Sequence, residues 1–98
     1  MYYCNYVMSG RCKTFCGETA KEIHKKFMSE YGEAESEVRK VEIFKENPEG
    51  LPISKVMDFA RDFGMVISYD LYKNDLLSGK YSFEEMHYLV MGTRGRIH

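Results

Sequence analysis

The sequence predicts a single α+β domain: a small, mostly antiparallel sheet, element order ββαβαβα, with helices packed on one face. Three observations support this. The 98 residues, 44% apolar and 30% charged, suit one modest core, since a chain this short buries roughly 60–65% of the surface its unfolded form exposes. Stretches that alternate with period two are interleaved with stretches that repeat every three or four residues, as strands followed by helices do. Ser-Gly, Gly and Asn-Pro punctuation falls between those stretches. Residues 1–98 are read as one domain, with 93–98 as a flexible tail.

Residues 2–8 and 11–16 are rich in aromatic, β-branched and cysteine residues and flank Ser9-Gly10, the pattern of a β-hairpin. Two registers are open. A two-residue loop pairs Met8 with Arg11, and a three-residue loop pairs Val7 with Arg11; the choice decides which side chains share a face. After Gly17, Thr19 and Glu22 fit a capping box, and Ala20, Ile23, Phe27 and Tyr31 recur at helical spacing up to Gly32, a natural cap. Glu33 to Glu37 reads as an acidic loop.

Val38 to Lys45 is expected as a third strand, half exposed, with Val41 and Ile43 inward and Lys40, Glu42 and Phe44 outward. Asn47-Pro48-Glu49-Gly50 breaks it, and a helix from about Pro52 to Phe63 follows, ended by Gly64. Met65 to Tyr72 is expected as a fourth strand. A loop around Ser78-Gly79 leads to a capping box at Ser82 and Glu85 and a last helix ending at Gly92.

Composition narrows the function classes. Net charge is −1, so no general attraction to nucleic acid or anionic lipid follows. The charge is uneven: residues 1–17 carry Arg11 and Lys13 and no acid, while residues 18–50 carry nine acids against six bases. No apolar run approaches the roughly 20 residues of a membrane span. The start, Met1-Tyr2-Tyr3-Cys4, has no basic region or apolar stretch, so no secretory signal is expected and the chain is read as cytoplasmic. Three cysteines in such a compartment suggest no disulfide framework.

Four constellations are candidates for chemistry. Cys4, Cys12, Cys16 and His24 have intervals of seven, three and seven residues, and thiolates with an imidazole suit zinc. The preferred alternative is that these cysteines are small buried hydrophobes under the hairpin, with no cofactor. On the hairpin, Arg11, Lys13 and Phe15 alternate on one face, with Tyr3 or Tyr6 opposite according to register; cations with rings suit phosphates and bases. The tail holds Arg94 and Arg96 around a glycine. Asp58 and Asp62 share a helix face, as solvated charge does.

Three short resemblances accompany these. Cys4-Asn5-Tyr6 through Gly10-Arg11-Cys12-Lys13 resembles the opening of a CCCH zinc finger, which implies zinc and RNA; the second cysteine interval is shorter than in that family and the histidine later. Arg94-Gly95-Arg96 resembles the AT-hook, which implies the DNA minor groove, without that motif's flanking prolines. Val56 to Gly64 with Leu76 to Lys80 resembles the repressor helix-turn-helix, with about three residues too many between its glycines and acids at Asp58, Asp62, Asp70 and Asp75.

No phosphate loop, nucleophile elbow or His-Glu-x-x-His is present, and Glu85 and His87 do not share a helix face. The reading is therefore a non-enzymatic binding or adaptor module that acts through a protein partner or a homodimer, using exposed rings or the hairpin edge. The alternatives are a nucleic-acid-binding regulator and a Cys3His zinc module.

Overall fold

In the computed structural model, residues 1–45, 52, 55, 58 and 64–95 are described, the last five as backbone alone. Strands β1 (Tyr2–Met8), β2 (Arg11–Gly17), β3 (Lys40–Phe44) and β4 (Met65–Ser68) form one sheet in the order β2-β1-β3-β4. Every neighbouring pair is antiparallel. The described helices are α1 (Ala20–Tyr31), α2 (Tyr69–Leu71), which continues as a π-helical turn through Leu76, and α3 (Phe83–Gly95). Their buried side chains join the same core on one face of the sheet, the α+β layering expected.

The hairpin has the two-residue loop, with Met8 opposite Arg11 and Tyr6 opposite Lys13. Gly10 takes φ +76° there, where only glycine avoids a steric penalty. This register sends Tyr2, Cys4, Tyr6 and Met8 to the helix side and Tyr3, Asn5 and Val7 to the other. At the end of β2, a Cβ on Gly17 would stand 3.0 Å from Ile23 and 3.1 Å from Glu22, so the missing side chain lets α1 lie close against the strand.

Thr19 Oγ1 accepts from the Glu22 amide at 3.2 Å, and the Glu22 carboxylate accepts from the Glu18 amide at 3.0 Å. Ser82 and Glu85 form the full reciprocal box, both bonds at 3.2 Å. Each such cap is worth about 1 kcal/mol. Ile23 and Phe27 of α1 are wholly buried with Tyr6, whose ring lies flat on Phe27 at 4.2 Å; each buried ring or aliphatic chain contributes roughly 1.5–3 kcal/mol.

Four expectations change. Gly32 caps α1 as expected, with a right-handed φ of −55°, but the loop expected over Glu33 to Glu37 is a 3-10 helix, Gly32–Glu37, anchored by buried Ala34. The fourth strand stops at Ser68, because the Ser68 side chain caps a helix, accepting from the Leu71 amide at 3.3 Å, and Tyr69 and Tyr72 turn into the core. The third strand is buried on both faces: Phe44 packs with Tyr3 and Val66, and Glu42 is 0% exposed. The last helix continues to Gly95, past Gly92. The turn at residues 47–50 and most of the helix expected over 52–63 lie outside the described residues; Lys55 and Asp58 are helical.

Candidate functional site

The hairpin is where the structure brings most of the sequence candidates together. Strand β2 is an edge of the sheet. In an antiparallel ladder that begins with the Met8–Arg11 pair, alternate residues bond inward. Arg11, Lys13, Phe15 and Gly17 bond to β1, and Cys12, Thr14 and Cys16 turn their N–H and C=O groups outward. Lys26 of α1 donates from Nζ to the Cys16 carbonyl at 2.6 Å, which confirms that direction and closes one end of the edge.

Arg11 and Lys13 are exposed on the helix side of β2. Both cations lie over the Tyr31 ring, at 5.6 and 5.7 Å from its centroid, each contact worth about 0.5–1 kcal/mol at such a site. Phe15 is half-buried against Tyr6, Phe27 and Tyr31. Tyr6 is 0% exposed, and Tyr3 sits on the opposite face with Phe44. The cations are therefore displayed, while Phe15 and Tyr31 beside them are partly buried against the core and Tyr6 is wholly within it. The expected exposed ring patch is absent among the described residues, where only Tyr88 has an exposed ring.

The cysteines and His24 are not gathered. Cys4 lies in the core, its thiol pushed up by burial. Cys12 and Cys16 are half-buried on the reverse face, and His24 stands on α1 on the Cys4 side. The three-residue loop that would align the cysteines is not formed. Among the described residues no group of three or more His, Cys, Asp or Glu is placed to hold a metal ion.

On the reverse face a polar chain crosses three strands. Thr14 Oγ1 donates to Asn5 Oδ1 at 3.3 Å, and Asn5 Nδ2 donates to Glu42 Oε1 at 2.5 Å. Asn5 is 3% exposed, and Glu42 Oε2 has no hydrogen-bond partner among the described residues. Burial raises the pKa of the Cys12 thiol beside this chain, with Asn5 acting the other way.

A second cluster was invisible in the sequence because its members come from four elements. The Tyr72 hydroxyl donates to the Ala20 carbonyl at 3.2 Å. Its single proton is thus used, so the Tyr6 hydroxyl donates to Tyr72, at 2.8 Å, and His24 Nδ1 at 3.4 Å from Tyr6 must carry the proton between them. Burial depresses the His24 pKa, opposed by Glu35 and assisted by Lys73. Glu35 is ion-paired with Lys73, and that bond holds its carboxyl below the usual range. The Tyr69 hydroxyl is buried next to Glu35 without completing a hydrogen bond to it. Burial pushes all three tyrosine hydroxyls upward. A groove of about 470 Å³ is lined by Glu33, Glu35, Ser36, Tyr69, Asp70 and Lys73, and His24 is not on its wall. Of the acids on this groove Glu35 is paired with Lys73, Glu33 and Asp70 are exposed, and the imidazole faces Tyr6 on the core side. The signal that could have found this cluster is Ser68, a helix cap that turns Tyr69 and Tyr72 inward.

Arg94 belongs to α3, its side chain outside the described residues, as is Arg96 entirely. No helix among the described residues is long and apolar enough to cross a membrane. Comparison with protein-family models, with curated proteins and with solved structures found no match to this chain.

Proposed function

We propose that this chain is a non-enzymatic adaptor module that binds another protein by accepting an extended segment of it along the open edge of β2. One observation carries the reading: a seven-residue strand at the end of the order β2-β1-β3-β4, whose outward groups at Cys12 and Thr14 have no strand beside them among the described residues. An added strand gains main-chain hydrogen bonds there, as in β-augmentation. Protein edges that are not used for binding are usually short, bulged, covered or guarded by charged side chains; this one is seven residues long, with Arg11 and Lys13 along it and Lys26 at one end. Three unpaired thiols fit action in a reducing compartment such as the cytoplasm.

The test is selection of ten-residue peptides from a displayed library, repeated with Thr14→Pro. The Thr14 amide points away from β1, so proline there spares the hairpin ladder and removes the outward donor. Enriched extended peptides that bind the parent chain and fail to bind the Thr14→Pro form, with circular dichroism unchanged, support the reading. Peptides that bind both forms equally refute it.

A further inference from the structure

We infer that the segment accepted by β2 is acidic, with carboxylates two residues apart on the side facing α1. This rests on the edge-docking reading and names the chemistry of the partner.

A strand laid beside β2 places its side chains opposite those of β2, about 4.5–5.5 Å away between Cβ atoms. Residues opposite Arg11 and Lys13 fall on the helix side, two positions apart, because both cations lie on that face. Those cations are exposed, and the Tyr31 ring beneath both of them holds them at the surface. The third cation, Lys26, sits at the far end of the edge against the Cys16 carbonyl. A partner strand running past Arg11 to Phe15 therefore meets three positive charges in order, and no acid lies on β2 itself. On the reverse side the same strand meets half-buried Cys12 and exposed Thr14, which suits small or β-branched residues.

A second copy of this chain is a poorer occupant. Antiparallel self-pairing centred on Thr14 sets Lys13 of each copy opposite Phe15 of the other, so neither Arg11 nor Lys13 gains an opposite charge, and four cations share one face.

The probes are three eight-residue peptides, Glu-Thr, Gln-Thr and Lys-Thr alternating, each also N-methylated at alternate residues in either register. Fluorescence anisotropy at low salt is expected to show the Glu-Thr peptide binding about tenfold or more tighter than the Lys-Thr peptide, as two attractions become two repulsions. The gap closes as salt screens the pairs. The double reversal Arg11→Glu with Lys13→Glu, at exposed positions, is expected to invert the order. Equal binding of Glu-Thr and Lys-Thr peptides, lost on N-methylation, overturns the acidic preference and leaves edge docking intact. Glu-Thr binding that survives N-methylation in both registers overturns edge docking as well, since the association is then charge alone. Absence of binding by the Glu-Thr peptide, or a dimer of the parent chain in sedimentation, overturns the acidic partner.

Discussion

The hydroxyls of Tyr6 and Tyr72 meet at 2.8 Å across 66 positions of sequence. That bond fastens the second strand of the sheet, counted from its edge, to the turn that follows β4. Its proton order runs from His24 through Tyr6 and Tyr72 to the Ala20 carbonyl. Tyr72→Phe leaves the Tyr6 hydroxyl buried without its acceptor. The expected cost is about 1–3 kcal/mol, read as a fall in urea midpoint with unchanged slope. Tm is expected to drop about 4–8 °C for each kcal/mol in a domain of this size.

Stability is expected to depend on pH through His24. Its folded pKa is depressed from 6.5, chiefly by burial. The unfolded chain therefore takes up the proton first as pH falls below about 6.5. Stability is therefore lost as pH falls from there to the folded pKa, and the full contribution is present only above about 6.5. Urea titrations at pH 7.5 and 5.5 are expected to show lower stability at 5.5, with the difference reduced in His24→Gln. A His24→Gln chain with the parent's full pH dependence would place the effect elsewhere.

The Glu35–Lys73 pair acts in a lower window. Its side chains are 23% and 45% exposed, so solvent screens it and about 0.3–1 kcal/mol is expected from Glu35→Gln at low salt. Because the folded Glu35 pKa is lowered, this stability is present above the unfolded value of 4.5 and is lost as pH falls through the folded one. Denaturation at pH 7 in low and 1 M salt should show a parent–variant gap that narrows with salt.

The Asn5–Glu42 pair is expected to behave as a coupled unit. Glu42→Leu alone leaves the Asn5 amide buried without its acceptor, at about 1–3 kcal/mol. Replacing both, as Asn5→Val with Glu42→Leu, removes the stranded groups together and should recover most of that loss. A double-mutant cycle measures the coupling, and additive losses would show that the bond contributes nothing.

Thiol labelling tests the hairpin register. Cys4 is 0% exposed, and Cys12 and Cys16 are half-buried on the other face. Under native conditions an aromatic disulfide reagent is expected to modify Cys12 and Cys16 well before Cys4, which reacts only on unfolding. Labelling of Cys12 and Cys16 as slow as that of Cys4 would contradict the register, which in the three-residue-loop form puts all three thiols on the buried face.

Elements whose cause is local were legible in the residues. The Thr19 and Ser82 caps, the apolar stripe Ala20-Ile23-Phe27 and the Ser9-Gly10 turn each depend on neighbours a few positions away, and the α+β layering follows from their order. The cations of the candidate edge, Arg11 and Lys13, were legible for the same reason. Tertiary structure alone decided the rest. Hairpin loop length was balanced in the sequence, and sheet packing selected the two-residue form, which split the cysteines between faces. Burial of Tyr69 and Tyr72 outweighed the strand propensity of residues 69–72 and bent them into helix. Which rings become core, which edge stays open and which charges remain at the surface depend on contacts across tens of residues, and periodicity along a chain carries no record of those.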